Sequence, residues 1–258
     1  MVTPPPPPGA LILHPGGMTL IELVIAMALS ALLILGLVQI ASAASFSTQM
    51  QRNQAWLQEN ARLAIRTLSS AIRQTGFNPK PWSVEFPPQG LGETSLEQVS
   101  ASSDRLVVRS WSDLNCFSNR NANKDSSGNP LYYIKESVFD LNSDKGLTRL
   151  CRYGPSKNEL ITQVRRQGFI QGVESFQLQY GDDSDQDGQL DTWVKAGQWS
   201  DPRNILAIRV GLLLAGEDRV VEAKADTKAV LDSTVATSAD GKLRRVIHFS
   251  TAVKGRTG

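Results

Sequence analysis

The sequence predicts an α+β fold: a long N-terminal α-helix, transmembrane in its first half and amphipathic in its second, packed on a C-terminal antiparallel β-sheet domain with long loops. Three observations predict it. An uncharged apolar run, LVIAMALSALLILGLVQI, extends from Leu23 to Ile40 and, with Leu20 and Ile21 ahead of it, reaches the length that spans a bilayer. Beyond it, Phe46, Met50, Leu57, Ala61, Ala64, Leu68 and Ile72 recur at steps of three, four or seven, the spacing of one helical face. After Pro81 the chain changes to short β-like runs between turn-rich stretches. These shifts divide the chain into residues 1–17, 18–40, 41–76 and 77–258.

Residues 1–17, MVTPPPPPGALILHPGG, hold a five-proline run that favours an extended segment without a core of its own. A cleaved secretory signal is the ordinary reading of an N-terminal apolar segment, but this one lacks a basic n-region and continues into further helical pattern. The continuing helix has a polar face of Gln51, Arg52, Gln58, Glu59, Arg62, Arg66 and Arg73. Gly76 suits its C-cap, and Pro79 and Pro81 oppose continuation. From Met18 to Thr75 a single helix would measure on the order of 85 Å. Its second half requires a globular domain packed on the apolar face.

Strand-like runs follow at 105–110, 131–139, 175–180, 204–214 and 244–253, with the clearest alternation at Phe176, Leu178 and Tyr180. Residues 119–130, NRNANKDSSGNP, read as a surface loop, and 222–241 contain a further polar, mobile excursion.

Composition narrows the function classes. Lys and Arg number 27 against 25 Asp and Glu, a balance from which bulk affinity for nucleic acid or anionic lipid does not follow. His14 and His248 are the two histidines, which excludes a multi-histidine zinc site, and no HExxH, GxSxG or P-loop pattern occurs. Cys116 with His248 carries no supporting signature of a nucleophile and base, so the chain is not expected to be an enzyme. Trp56, Trp82, Trp111, Trp193 and Trp199 read as core and interface residues rather than a ligand platform. Cys116 and Cys151 both lie in the polar part that the anchor places outside the cytoplasm, where a disulfide persists. A Cys116–Cys151 bridge is expected, with two separate thiols as the alternative.

The junction GGMTLIELVIAMALSALLILGL resembles the class III signal of type IV prepilins and pseudopilins: a Gly, a hydrophobic first mature residue, Thr-Leu-Ile-Glu, then an apolar helix. The resemblance implies that a prepilin peptidase cuts after Gly17 on the cytoplasmic side and methylates the new amino group of Met18. It also implies that Glu22 pairs with the Met18 amine of a neighbouring subunit. A carboxylate entering the apolar region costs about 2.5–3.5 kcal/mol at a helix centre and less near its end, so a partner is expected; hydration at the interface is the other reading. The leader departs from the usual pattern in having no Lys or Arg, and Met18 replaces the commoner Phe.

A narrower resemblance lies in LQENARLAIRTLSSAIRQTGF at 57–77, LAIRVGLLLAG at 206–216 and RRVIHFSTAVKGR at 244–256, which look like segments of PilW-type minor pilins. It implies a single-pass inner-membrane subunit, its C-terminal domain outside the cytoplasm, that helps prime type IV pilus assembly for motility, adhesion or DNA uptake. The implied partners are other pilins and minor pilins, the peptidase, the inner-membrane assembly platform and membrane lipid. A minor pseudopilin of a type II secretion system shares the plan. A DNA-binding tip receptor, using Arg165-Arg166 and Arg244-Arg245, is a third reading.

The stretch YGDDSDQDGQLD at 180–191 alternates Asp183, Asp185 and Asp187 before Gly188, with Gln189 and Asp191 beyond. This matches the first half of a calcium loop: oxygen donors at alternate positions, Gly at the sharp turn, a backbone carbonyl from Gln189, then a carboxylate or a water at Asp191. Val194 stands where a bidentate Glu would be, so a final ligand has to come from elsewhere. Bound Ca²⁺ and a solvated acidic turn between two strands are both open.

Mass spectrometry of filament-associated protein is expected to find a methylated Met18 at the N-terminus. An intact leader on that protein would contradict the processing site.

Overall fold

The computed structural model describes residues 19–91, 96–100, 103–199 and 201–253. Helix α1 spans Leu20–Gln74. The chain divides into two compact units between Thr48 and Gln49. In the first unit the large apolar side chains from Leu20 to Phe46 are all exposed in the isolated chain. The helix is long and apolar enough to cross a membrane. Two of its hydroxyls are satisfied locally: Ser30 Oγ donates to the Ala26 carbonyl at 2.7 Å and Thr48 Oγ1 to that of Ala44 at 2.9 Å. Polar groups so paired cost little in an apolar solvent.

The second unit contains the remainder of α1 and β1 Leu96–Ser100, β2 Ser103–Ser112, β3 Tyr133–Leu141, β4 Leu147–Gly154, β5 Ile161–Ile170 and β6 Val173–Asp182. There follow β7 Thr192–Val194, β8 Ile205–Arg219, β9 Asp226–Val230, β10 Ser233–Thr237 and β11 Lys242–Ala252. Among the described residues, nine strands form one sheet in the order β11-β8-β6-β2-β3-β4-β5, with β1 on β2 and β7 on β6. All pairings are antiparallel except β2 with β6, which is parallel through Ser103 and Phe176. The antiparallel sheet expected from the sequence is therefore present with this one parallel seam. The side chain of buried Asp104 substitutes for missing ladder carbonyls there, accepting the Leu178 amide at 2.8 Å.

The helical face read from the sequence is the buried one. Leu57, Ala61, Ala64, Leu68 and Ile72 pack with Leu106, Phe139, Phe176, Tyr180, Ile208 and Leu212 from the sheet. The two alanines keep the helix close to the strands, and truncating Leu68 to Ala would cost about 2–5 kcal/mol. Phe46, at the start of the same stripe, is exposed and belongs to the first unit. Helix α1 ends where Gly76 takes a φ of +78°, a left-handed conformation favourable to glycine. Gly76 N then donates to the Arg109 carbonyl and Trp111 N to that of Phe77, both at 2.9 Å, stitching the helix end to β2.

The other face of the sheet is handled differently in its two halves. Behind β8 and β6 sits the hairpin β9–β10, whose Val230 and Leu231 cover Gly211 and whose Ser233 Oγ donates to Gln177 Oε1 at 2.9 Å. The polar excursion expected at 222–241 is thus a packed hairpin with Val230 fully buried, not a mobile loop. Behind β2, β3 and β4 the face is charged: Glu136 lies in register between Arg109 and Arg152, pairing with them at 2.6 and 3.3 Å. Asp140 meets Arg105 at 3.2 Å and Arg166 at 2.9 Å. Such cross-strand opposite charges are favourable when aligned.

Cys116 and Cys151 form a disulfide that ties the loop after β2 to β4, closing a separation of 35 residues. Removing it by Cys116→Ser with Cys151→Ser is expected to lower domain stability by about 3–4 kcal/mol, read by denaturant unfolding. A second tie is Arg244 on β11, which bridges Glu174 at 2.6 Å and Asp240 at 2.8 Å with side chains only 6% and 8% exposed for Arg244 and Glu174. Arg244→Ala leaves buried Glu174 without its main partner, with Lys145 still at 3.0 Å, and is expected to cost about 3 kcal/mol.

The same cluster sets an acid dependence. Arg244 hydrogen-bonds Asp240 and holds its pKa down at about 2. Burial pushes Glu174 up, but hydrogen bonds from Arg244 and Lys145 outweigh it and leave the group below its ordinary value. Both folded pKa values are depressed, so their stabilisation is full above the unfolded values near ~4 and is lost as pH falls toward the folded ones. Melting temperature is expected to drop between about pH 4 and pH 2. The drop should shrink in Arg244→Ala, which starts lower at neutral pH.

Candidate functional site

Two places carry the candidate chemistry, the start of α1 and the loop between β6 and β7. At the first, Gly17 and Met18, the expected cleavage and methylation positions, lie outside the described residues, as does His14. Thr19 and Glu22 are described, and they form a reciprocal cap. Thr19 Oγ1 accepts the Glu22 amide at 3.3 Å, while Glu22 Oε2 accepts the Thr19 amide at the same distance. This is the capping box, which satisfies two orphan donors of a helix N-terminus. Sequence reasoning gave Glu22 an intermolecular role and missed this local one, although Thr-x-x-Glu before an apolar run is its signature. The carboxylate also favours the positive end of the helix dipole. All these contacts are long, so the cap is weak enough to exchange for a charged partner.

At the second place β6 and β7 form a hairpin, with Tyr180 opposite Val194, Gly181 opposite Trp193 and Asp182 opposite Thr192. The loop is fastened at its root, where Asp183 N donates to the Asn204 carbonyl at 3.1 Å and Asp191 N to that of Asp182 at 3.0 Å. Inside it the aspartates fold the backbone back on themselves. Asp183 Oδ2 accepts from Gly188 N at 3.2 Å, Asp185 Oδ1 from Asp187 N at 3.1 Å, and Asp187 Oδ1 from Gln189 N at 2.7 Å. Gly188, with φ +86°, makes the sharp turn that the sequence pattern required.

The structure brings Asp183, Asp185 and Asp187 together, with one carboxylate oxygen of each within 4.8 Å of the others. It does not bring in Asp191, whose Oδ2 instead accepts from the hydroxyl and amide of Ser184 at 2.6 and 2.8 Å. Those bonds hold its pKa below the ordinary carboxylate value. Gln189 has its side-chain amide on Asp187 Oδ2 at 3.0 Å. Val194 is confirmed in β7, paired with Tyr180, and offers no side-chain ligand. Asp183 differs from its neighbours: it is 3% exposed, while Asp185 and Asp187 face solvent.

The remaining sequence candidates have structural positions. Cys116 is bonded to Cys151, and His248 Nε2 accepts from Leu231 N at 3.4 Å, so the two do not form a nucleophile and base. Arg166 and Arg244 of the two arginine pairs are engaged with carboxylates of the fold. Trp111 is buried, and Trp56 and Trp199 pack against the core, Trp199 edge-on to Tyr180 with centroids 4.9 Å apart. Trp193 lies under the Arg209 guanidinium at 4.0 Å. Trp82 is exposed and takes no part in a core.

Two family models match the chain. The prokaryotic N-terminal methylation motif matches residues 14–38, spanning the Gly17-Met18 junction and Glu22. The type IV pilus-assembly protein W family matches residues 131–255, from β3 to the end of β11 and including the acidic loop. No curated protein matches the chain.

Proposed function

We propose that this chain, which joins a prepilin methylation motif to a PilW-type pilus-assembly region, is a minor pilin that enters a type IV pilus and primes its assembly. In this reading it is a structural subunit and not an enzyme. A prepilin peptidase removes residues 1–17, the apolar helix holds the chain in the inner membrane with the β-rich domain outside the cytoplasm, and the assembly platform then moves it into a filament among other pilins.

One observation carries the reading. Along Leu20–Phe46 the large apolar side chains are all exposed, with no cover from the described residues of the chain. Along Leu57–Ile72 the same helix is amphipathic and has one face in the domain core. The first stretch needs lipid or other helices as its solvent, since large apolar areas left in water are unfavourable. A subunit that leaves a bilayer for a helical filament core exchanges one such solvent for the other with its domain unchanged. Glu22 fits this exchange: in the isolated chain it caps its own helix through weak contacts, and on assembly it pairs with the Met18 amine of a neighbour.

Electron microscopy of a deletion strain tests the proposal. Surface filaments are expected to be lost or sharply reduced and restored by the wild-type gene; unchanged filaments would contradict a priming role. Glu22→Ala is expected to insert in the membrane normally and to lower incorporation into filaments about tenfold or more, the equivalent of about 1.4 kcal/mol or more. Glu22→Gln keeps a capping-box residue without the charge and is expected to fail likewise. Normal incorporation of the Gln variant would leave capping as the whole role of this side chain.

A further inference from the structure

We propose that the loop between β6 and β7 is a calcium site built on Asp183, Asp185 and Asp187. The carrying observation is Asp183 itself. It is 3% exposed, one oxygen takes the Gly188 amide, and the other, Oδ1, is buried with no hydrogen-bond partner among the described residues. A buried carboxylate oxygen without a partner is unfavourable, and such atoms in folded chains are normally matched by a donor, water or ion. One oxygen of Asp183 also lies within 4.8 Å of an oxygen of each of two further carboxylates, Asp185 and Asp187, so the local field asks for a cation rather than a neutral hydrogen-bond donor. Among the described residues no Lys or Arg pairs with any of the three. The nearby Arg203 is held by Asp201 at 2.7 Å.

The chemistry of the donors selects the ion. Three carboxylates and no His or free Cys make an all-oxygen set, which suits Ca²⁺ or Mg²⁺ and disfavours zinc or copper. Asp183, Asp185 and Asp187 occupy alternate positions before a turn at Gly188, and Gln189 occupies the place where a calcium loop presents a backbone carbonyl. Asp191, pinned by Ser184, stands where such loops place a water-mediated ligand. Val194 in place of a bidentate Glu leaves the shell to be completed by water. A flexible, partly hydrated shell of this kind tolerates Ca²⁺ better than Mg²⁺, which demands near-ideal octahedral geometry. The missing carboxylate places the affinity in the range of extracellular modules, about 10⁻⁴–10⁻³ M. Bound calcium would fasten the tip of the β6–β7 hairpin, whose Leu190 closes over Gly181.

The test titrates the full chain in detergent micelles with CaCl₂ by calorimetry, with MgCl₂ as the control for charge screening. A saturable calcium heat with a dissociation constant of about 10⁻⁴–10⁻³ M, together with a melting temperature that rises with calcium and not with magnesium, is expected. Asp185→Ala removes an exposed donor and should leave the fold intact while weakening binding at least tenfold. Asp183→Asn, which retains an oxygen for the Gly188 amide, is expected to weaken it as much. Equal effects of calcium and magnesium, or the absence of a calcium-specific heat up to about 10 mM, roughly ten times the weak end of that range, would overturn the proposal. So would wild-type binding by Asp185→Ala.

Discussion

The packing of Leu57, Ala61, Ala64, Leu68 and Ile72 on one face of the sheet is the constraint on which the rest of the domain depends. Burying the three large members stabilises the fold by roughly 5–9 kcal/mol on an area basis. That is of the same size as the net stability of an ordinary domain, so the second half of α1 is a wall of the core and not an appendage. The sheet in turn is apolar on that face along β2, β3, β6 and β8, where Leu106, Phe139, Phe176 and Ile208 would otherwise meet water. Helix and sheet complete each other, and the left-handed turn at Gly76 hands the helix end directly to β2.

With one face committed to the helix, the opposite face has to be stabilised by other means. Behind β6 and β8 a two-stranded hairpin covers Gly211, and behind β2 to β5 Glu136 and Asp140 are neutralised by arginines from neighbouring strands. Arg244 joins β11 to the start of β6 by the same device. These pairs explain where the balanced charge of the chain goes: many of the arginines that read as surface groups are spent within the sheet. The acidic loop stands apart from this scheme, because three carboxylates gather there and, among the described residues, no arginine pairs with them.

The helix was legible because its signals are long and periodic: the uncharged run, the stripe from Leu57 to Ile72, and Gly76 followed by prolines. Five strands were legible from β-branched and aromatic runs such as VIHFSTAV and FQLQY. β4 and β5 were not, since LTRLCRYG and ITQVRRQGFI interleave arginines whose partners lie on neighbouring strands. The hairpin β9–β10 was hidden for a similar reason, its polar composition masking a single fully buried Val230 that decides its placement. At the acidic loop, spacing identified Asp183, Asp185, Asp187 and Gly188 as a group. The burial of Asp183 and the diversion of Asp191 to Ser184 arise from tertiary packing and leave no mark in the spacing. The parallel seam between β2 and β6 depends on contacts distant in sequence, with Asp104 reaching Leu178, and leaves no local pattern to read.

The exposed apolar half of α1 and the self-contained domain that follows make one central claim, that this chain completes its structure inside a filament of related subunits. Its partition between sheared surface filaments and the cell membrane measures that claim most directly. The account predicts that antibodies to the β-rich domain label sheared filaments at sparse sites and detect the chain in the filament fraction. A chain confined to the membrane fraction of cells whose sheared filaments carry no label would contradict it.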